Sequence, residues 1–346
     1  MAGNGGSSMP MQAFEYDLPA SCIAQVPAEP RDSARLLVDR GATHAPDHRV
    51  VADLPGLLEP GDVLVVNDTR VIPARLRVRR ATGGNVEVFL VRPLEGGGWH
   101  ALIRPARRLS VGEVLRSVHP AGDELTVEIG ERLDDTGGRR VRLVADDPLD
   151  ALDRHGTMPL PPYIHTPLDD PERYQTVYAS RPGSVAAPTA GLHLTPTLLQ
   201  RCRAKGVDVR TVELVVGLDT FRPVVADRPE DHVIHCEEYR VPAETLDACA
   251  RARRVIAVGT TSVRALESAA RGPLSGDTSL FIHGGFDWQV VDLLMTNFHL
   301  PRSSLLLLVD AFVGPRWRAL YDTAMHEGYR FLSFGDAMLL DRHAPR

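Results

Sequence analysis

The sequence predicts a two-part fold in which an antiparallel β-barrel or sandwich adjoins an α/β region. The chain has 346 residues, which suggests about two domains at ~150 residues each. Short alternating strands separated by Gly, Asp or Pro occupy roughly residues 70–150, which is typical of a small barrel or sandwich. From about residue 156 the pattern changes to buried strands followed by capped helices, which is typical of an α/β region.

The predicted barrel strands alternate apolar and polar residues. In Arg75-Leu76-Arg77-Val78-Arg79 every second residue is basic, so the three arginines should lie on the outer face of a half-buried strand. A turn at Thr82-Gly83-Gly84-Asn85 leads to the next strand. We expect strands at residues 75–79, 86–91, 99–103, 124–129 and 139–144.

The α/β region is marked by helix caps. Thr195-Pro196 is typical of a helix start, with Thr195 as the N-cap, and Gly206 should end that helix. Further helices should begin after Gly259 and at Ser303 or Ser304. Strands are predicted at residues 63–66, 207–216, 254–258, 280–282 and 290–294.

Composition limits the class of protein. Apolar residues make up 43% and charged residues 24%, as in a globular chain with a real core. The formal net charge of −6 argues against a strongly cationic coat protein for nucleic acid. The only lysine is Lys205, and its neighbours do not form the Gly-Lys-Ser/Thr triplet of a P-loop nucleotidase.

Cysteine spacing and apolar runs bear on the compartment. The four cysteines form no CxxC pair, which argues against a disulfide framework and a zinc ribbon. Residues 1–11 are rich in Gly and Ser, and we expect them to form a disordered leader. The longest aliphatic run, 305–309, is too short for a membrane span. We therefore expect a cytoplasmic protein with no membrane segment.

Arginine is concentrated in one part of the chain. Residues 70–108 hold nine arginines and two acidic residues, a local net charge of +7. This pattern fits either a solvated strand face in an arginine-rich proteome or a surface that contacts a polyanion.

Gly259-Thr260-Thr261-Ser262 is a candidate anion site after a buried strand. It places free backbone N–H groups and three hydroxyls at a helix N-terminus, where a carboxylate or phosphate binds well. Capping alone needs one hydroxyl, so three in a row favour a ligand site. Arg264 and Glu267 follow within one turn and would face the same ligand.

Four side chains in three loop segments are candidates for proton transfer, namely His193, His235, Glu237 and His299. In an extended segment His235 and Glu237 share one face, and Cys236 lies on the other. A histidine beside a carboxylate fits acid–base chemistry better than a metal site, because the sequence has no CxxC cysteine pair and no HExxH motif that would supply further metal ligands. A lone histidine is more often structural, so each of them by itself is a weak signal.

Ten collinear stretches, among them Asn67-Asp68-Thr69-Arg70-Val71-Ile72-Pro73-Ala74-Arg75, resemble the S-adenosylmethionine:tRNA ribosyltransferase-isomerase family of queuosine biosynthesis. The similarity covers nearly the whole chain after the leader. The stretches are 16–19, 27–35, 60–62, 67–75, 155–164, 174–178, 185–193, 258–267, 296–302 and 329–338.

The resemblance implies a fold and a reaction. Residues 12–69 and 156–346 would form one α/β domain built from both chain ends, with a β-barrel domain inserted at 70–155. The ribosyl part of S-adenosylmethionine would pass to the 7-aminomethyl group of a deazaguanine in the tRNA anticodon, giving epoxyqueuosine and releasing adenine and methionine. The sulfonium acidifies the ribose C5′ hydrogen, so a positioned base would start the rearrangement. A carboxylate would balance the sulfonium charge, and no metal is implied.

The resemblance also assigns residues, position by position. The motif that binds S-adenosylmethionine would be Gly259, Thr260, Thr261, Ser262 and Arg264, joined by Thr189 next to the ribose. The catalytic residues would be His193, His235, Glu237 and His299. Arg70 and Arg75 match the family motif that enters the barrel. Together with Arg77 and Arg79 of the alternating strand and with Arg302 near His299, they are the predicted contacts to RNA or to the acceptor.

Several loop positions depart from the family pattern, namely Val215, Asp219, Cys236, His283 and Gly284. Such losses favour an alternative in which an enzyme of the same fold acts on a small-molecule acceptor in secondary metabolism. The arginine-rich stretch favours tRNA. A third hypothesis, a non-catalytic RNA-binding paralogue, is disfavoured by the retained histidines. The sequence leaves the identity of the base and the oligomeric state open.

Overall fold

The computed structural model describes residues 9–105, 109–117, 125–133, 137–217, 224–234 and 236–345. The strands within these ranges are β1 Arg35–Val38, β2 Asp47–Val50, β3 Val63–Asn67, β4 Thr69–Val71, β5 Arg75–Arg80, β6 Asn85–Pro93, β7 Trp99–Arg104, β8 Val114–Ser117, β9 Thr126–Arg132, β10 Gly138–Val144, β11 Gly156–Thr157, β12 Arg181–Ser184, β13 Asp208–Leu214, β14 Glu237–Arg240, β15 Val255–Val258, β16 Ser275–Thr278, β17 Leu293–Asn297 and β18 Ala337–Asp341. The α-helices are α1 Leu54–Leu57, α2 Pro148–His155, α3 Pro196–Ala204, α4 Ala243–Arg251, α5 Thr260–Ala269, α6 Ser304–Val313 and α7 Trp317–His326.

A mixed nine-stranded sheet is the centre of the α/β part. Its strand order is β16-β14-β13-β3-β15-β17-β18-β1-β2. The middle strands β13, β3, β15 and β17 are parallel to one another, and their outer neighbours β14 and β18 are antiparallel to them. Strand β1 lies parallel to β18, with Leu37 opposite Met338, so the two ends of the chain are joined in one sheet. This confirms the α/β fold formed by both chain ends.

The sheet is buried on both faces. Successive side chains of a strand point to opposite faces, so Val63 and Val65 of β3 pack in one core with residues of α4, α5, α6 and α7. Leu64 and Val66 pack in the opposite core with residues of α1 and α3. This two-sided burial explains the continuous apolar run in the sequence.

An antiparallel barrel forms the second part of the molecule. The order β5-β6-β7-β10-β9-β8 closes through pairing of β8 with β5, and β11 adds to the outside of β5. Leu76 and Val78 lie in the barrel core, and Arg77 and Arg79 are exposed. The predicted alternation and the β-barrel are confirmed; the domain bounds themselves stay a prediction.

The predicted helix caps are correct. The Thr195 side chain accepts from the Leu198 N–H at the start of α3, and the Ser303 side chain accepts from the Leu306 N–H at the start of α6. These bonds satisfy backbone donors that have no partner within the helix. They also fix the direction in which each helix leaves the sheet edge.

The predicted strand at residues 280–282 is wrong. The Leu280 N–H donates to Thr278 Oγ1 at 3.1 Å, and the Leu280 carbonyl accepts from Arg264 Nε at 3.1 Å. Side chains therefore occupy the backbone groups that a strand would use for its ladder. The strand in this region is β16, which ends at Thr278.

Met11 lies inside the fold, at the end of the stretch predicted as a leader. It is buried, begins a 3₁₀ helix at Met11–Phe14, and donates its N–H to the Asp227 carbonyl at 2.9 Å. Residues 1–8 of the leader lie outside the described residues. No helix in the described part of the chain is long and apolar enough to cross a membrane.

Candidate functional site

A crevice opens at the carboxyl ends of the parallel strands β15 and β17. Its walls come from the loop before α3, the start of α5, the residues around the end of β17, and Leu332 and Ser333. The space between its walls is about 620 Å³ when the open solvent at its mouth is included. Ligands of open α/β sheets commonly bind at this edge.

The N-terminus of α5 faces this crevice. Gly259 has φ +85°, a conformation that disfavours any residue with a Cβ, and no side chain caps the helix. Thr260 and Thr261 line the crevice, and Thr261 Oγ1 is buried without a hydrogen-bond partner among the described residues. Backbone N–H groups and a hydroxyl are therefore available to a ligand at this point.

Ser262 belongs to the same motif, but its hydroxyl does not face the crevice. Its Oγ donates to the Val258 carbonyl at 2.8 Å, and the side chain is fully buried in the helix. The hydroxyl therefore points back to the strand and away from the crevice. Of the three consecutive hydroxyls, two line the site and one joins α5 to β15.

His299 lines the crevice in its neutral form. Burial lowers the pKa of His299 to about 3. Its Nε2 lies 2.9 Å from Thr296 Oγ1, and its backbone N–H donates to the Tyr321 hydroxyl at 3.0 Å. The His299 carbonyl accepts a hydrogen bond from Tyr16. Thr296 thus holds the imidazole, and the two tyrosines hold the backbone of His299.

His193 lies behind the crevice wall. It does not line the crevice, and Asn297 connects it to Thr189, which does. Burial lowers the pKa of His193 to about 4, and the nearby guanidinium of Arg330 acts in the same direction. His193 is therefore neutral at physiological pH, like His299.

Glu237 and Arg264 form a buried ion pair beside the crevice. Both side chains are less than 10% exposed. Glu237 Oε1 accepts the Gly217 N–H at 3.3 Å, so the pair also holds the backbone that follows β13. Arg264 lines a smaller apolar cavity, and Leu305 lies in the wall of both that cavity and the crevice. His235 lies outside the described residues.

The predicted RNA-contact arginines differ in their surroundings. Arg70 pairs with Glu172, and Arg75 Nη1 lies 3.4 Å from Glu87 Oε2. Arg77 is exposed. The remaining predicted contacts also have partners, with Arg79 Nε donating to Asn85 Oδ1 at 3.1 Å and Arg302 Nη1 donating to Glu15 Oε1 at 2.8 Å.

Among the crevice residues that sequence reasoning did not single out are Tyr163, Asn297 and Ser333. Tyr163 Oη and Ser333 Oγ are 2.7 Å apart, and burial raises the pKa of Tyr163 to about 12. All three lie within stretches that carry the family resemblance. Their partners are distant in sequence, so only their presence in those stretches could have drawn attention to them.

Four of the five positions that depart from the family pattern belong to the part of the chain that the structure describes. Val215 donates its N–H to the Glu238 carbonyl, and Cys236 is exposed. The His283 ring contacts the ring of Phe281, which lines the smaller cavity. Asp219 lies outside the described residues. Within the described ranges, no group of His, Cys, Asp or Glu side chains could hold a metal ion.

The chain is similar to known proteins over nearly its full length. Residues 11–340 match the family described as queuosine biosynthesis protein. The chain is 51% identical to the S-adenosylmethionine:tRNA ribosyltransferase-isomerase of Gloeobacter violaceus, over 95% of each chain. It is 50% identical to the enzyme of the same name from Thermus thermophilus, over 95% of this chain and 99% of that one.

A solved structure shares the fold. The crystal structure of S-adenosylmethionine tRNA ribosyltransferase from Thermotoga maritima is 36% identical to this chain and has a TM-score of 0.53. The match covers 94% of this chain and 99% of that one.

Proposed function

The chain belongs to the queuosine biosynthesis protein family, and we infer from this membership that it is an S-adenosylmethionine:tRNA ribosyltransferase-isomerase. Its substrates are therefore S-adenosylmethionine and tRNA. We further propose that the acceptor is the 7-aminomethyl-7-deazaguanine of the anticodon and that the product is epoxyqueuosine. Adenine and methionine would be released.

We place S-adenosylmethionine in the crevice because the N-terminus of α5 faces it. The methionine carboxylate would accept hydrogen bonds from the free N–H groups of Thr260 and Thr261, where the helix dipole favours negative charge. The Thr261 hydroxyl, which is buried without a partner among the described residues, would add a further contact. Gly259 keeps the backbone in the left-handed conformation that presents these groups.

His299 is the proposed base. His299 and Tyr163 are the ionisable side chains among the described residues that line the crevice. A neutral imidazole does not repel the sulfonium, and its Nε2 lies at the crevice wall beside Thr296. The ribose C5′ proton would pass to the ring nitrogen that is not engaged by Thr296. Tyr163, which keeps its proton because burial raises its pKa, would donate toward the departing adenine.

The ion pair of Glu237 and Arg264 is proposed to position the acceptor side of the site. Glu237 is already neutralised by Arg264, so it offers the sulfonium little net charge. It holds the Gly217 backbone, which follows the buried crevice residue Val216. We therefore assign Glu237 a positioning role and leave the base role to His299.

The outer face of the barrel is the proposed tRNA surface. Arg77 of β5 lies opposite Glu87 of β6, which lies opposite Arg104 of β7, so two exposed arginines flank one acid in a row across three strands. Arg77, Arg92 and Arg104 form no ion pair with another residue that the structure describes. Exposed guanidinium groups in such a row fit the phosphate backbone.

Product analysis tests the proposed function. Purified protein would be incubated with S-adenosylmethionine and tRNA that carries the aminomethyl-deazaguanine, and adenine, methionine and the anticodon nucleoside would be quantified by mass spectrometry. We expect all three products only when tRNA is present. Release with the free deazaguanine base alone would favour the small-molecule acceptor. S-adenosylmethionine binding without any release would favour the non-catalytic paralogue.

A further inference from the structure

The hydrogen bonds around Asn297 connect the crevice to the residues behind it. The side chain is 2% exposed and contacts three polar groups. Its Oδ1 lies 2.9 Å from Thr189 Oγ1, and its Nδ2 lies 3.1 Å from His193 Nε2 and 3.3 Å from the Asp336 carbonyl. Thr189 lines the crevice, whereas His193 does not.

The Asp336 carbonyl decides the orientation of the Asn297 amide. A carbonyl oxygen can only accept, so the amide atom that faces it must be the NH₂ group. A flipped amide would place two oxygens against each other at 3.3 Å. The amide oxygen therefore faces Thr189, and the second hydrogen of the NH₂ group points to His193.

This orientation fixes the protons on both neighbours. His193 Nε2 receives an N–H from Asn297, so it carries no proton, and the ring proton is on Nδ1. The Thr189 hydroxyl donates its single proton to Asn297 Oδ1, so only its lone pairs are available on the crevice side.

We propose that His193 and Asn297 are positioning residues that make Thr189 an obligate hydrogen-bond acceptor in the crevice. Thr189 then recognises an N–H or O–H group of S-adenosylmethionine. The proposal rests on the proposed function, because it takes the crevice as the S-adenosylmethionine site. It assigns His193 no proton transfer to the reacting ribose.

The methionine ammonium group is the donor closest to the proposed carboxylate site. A Cβ built on Gly259 would lie 3.7 Å from Ala190 Cβ, so the loop that carries Thr189 contacts the start of α5. An α-amino acid bears its ammonium and carboxylate groups on one carbon. A carboxylate at the start of α5 therefore brings the ammonium toward this loop. The ribose hydroxyls and the adenine amino group are the other hydrogen-bond donors of S-adenosylmethionine.

The first test is the tautomer of His193, which is measured without any ligand. In ¹⁵N-histidine-labelled protein, with the His193→Gln variant for assignment, we expect a protonated Nδ1 and an unprotonated Nε2 at pH 7. In Asn297→Asp a carboxylate oxygen faces Nε2, so the titration midpoint of His193 should rise by ~1–3 pH units. A protonated Nε2 in the wild-type protein overturns the proposal.

The second test is calorimetric binding of S-adenosylmethionine in the absence of tRNA. We expect Thr189→Val to weaken binding by about tenfold or more, because a charge-assisted hydrogen bond is lost, and Thr189→Ser to bind within about twofold of wild type. Equal binding by the wild-type and Thr189→Val proteins overturns the proposal and leaves the proposed function intact. A wild-type protein that binds no S-adenosylmethionine contradicts the proposed function itself.

Analogues that each lack one donor then identify the partner of Thr189. If the ammonium is the partner, the wild-type and Thr189→Val proteins should bind the analogue without the α-amino group equally. If a ribose hydroxyl or the adenine amino group is the partner, equality should instead be seen with the deoxyribose analogues or with the analogue that lacks the adenine amino group. A difference between the two proteins that persists with all these analogues overturns the assignment of Thr189 as acceptor.

Discussion

The crevice has neutral ionisable side chains, whereas the outer face of the barrel has charged ones. In the crevice, His299 and Tyr163 are both held neutral by burial, and they bind neighbours through directed hydrogen bonds. On the barrel, the arginines of β5 project to solvent from alternate positions of the strand. The first region suits recognition of one small molecule in one orientation. The second suits contact with a long polyanion whose position along the surface can vary.

The comparison also shows that charge counted along a stretch of sequence differs from charge on a surface. Arg70 and Arg80 belong to the arginine-rich stretch 70–108, but their partners Glu172 and Glu113 lie outside it. The surplus of +7 therefore overstates the free positive charge of this face. The exposed arginines without an ion pair to a described residue are better candidates for phosphate contacts than the paired ones.

Of the substitutions in the crevice, His299→Gln should reduce activity most. Glutamine can still hydrogen-bond Thr296 but cannot take up a proton, so kcat should fall by ~10²–10⁴-fold. S-adenosylmethionine binding, measured by calorimetry, should change only slightly. If kcat stays within about tenfold of wild type, another group is the base.

A backbone change tests the same region without touching its chemistry. Valine at Gly259 disfavours φ +85°, so Gly259→Val should reduce S-adenosylmethionine affinity by about 100-fold and stability by ~1–3 kcal/mol. Gly112→Val is the matched control, since Gly112 has φ +81° in open space on the barrel. It should lose stability and keep affinity, as measured by urea unfolding and calorimetry. An equal loss of affinity in both variants would refute the role of the α5 N-terminus.

The neutral histidines predict a pH dependence of folding. His193 and His299 have folded-state pKa values of about 4 and about 3, below the usual 6.5. The unfolded chain therefore binds more protons below pH 6.5. The contribution of the two histidines to the free energy of unfolding should be fully present above that pH. It should decrease by an amount on the order of a few kcal/mol as the pH falls toward 4. Urea unfolding of the wild-type and His299→Gln proteins between pH 7.5 and 4 should show a shallower decrease in the variant.

The barrel face should respond to salt, with smaller effects. Arg77→Gln combined with Arg104→Gln removes two exposed charges, so tRNA affinity should fall by about tenfold and the log–log salt slope by about 2. S-adenosylmethionine affinity should not change. Arg70→Gln is the matched comparison, because Arg70 is already paired with Glu172, and its effect should be the smaller. Filter binding of tRNA over a range of salt concentrations measures both, and an equal or larger effect of Arg70→Gln would contradict the assignment.

The sequence predicted the parts of the site that depend on local structure. The Gly-Thr-Thr motif follows a buried strand and begins a helix, so its backbone geometry could be inferred from spacing alone. The direction of the Ser262 hydroxyl could not, because it depends on which side of α5 faces β15. The connection from His193 to Asn297 spans 104 positions, and only the folded sheet brings the two together.

The fold, like the site, was predicted correctly where it depends on local sequence signals. Alternation in β5 and the caps of α3 and α6 are local signals, and they were correct. The error at residues 280–282 arose because the Arg264 and Thr278 side chains occupy the backbone groups of Leu280. A short apolar run carries no information about such long-range partners.

Hydrogen–deuterium exchange tests most directly the central claim that S-adenosylmethionine binds in the crevice and that the tRNA backbone is held on the outer face of the barrel. Exchange would be measured on the free protein, with S-adenosylmethionine and with tRNA. We predict that S-adenosylmethionine slows exchange at the start of α5, in Thr260–Ala269, and around the end of β17, in Leu293–Asn297. tRNA should slow it in β5 and β7, in Arg75–Arg80 and Trp99–Arg104. Protection of the barrel by S-adenosylmethionine, or protection by tRNA that is absent from these strands, would contradict the claim.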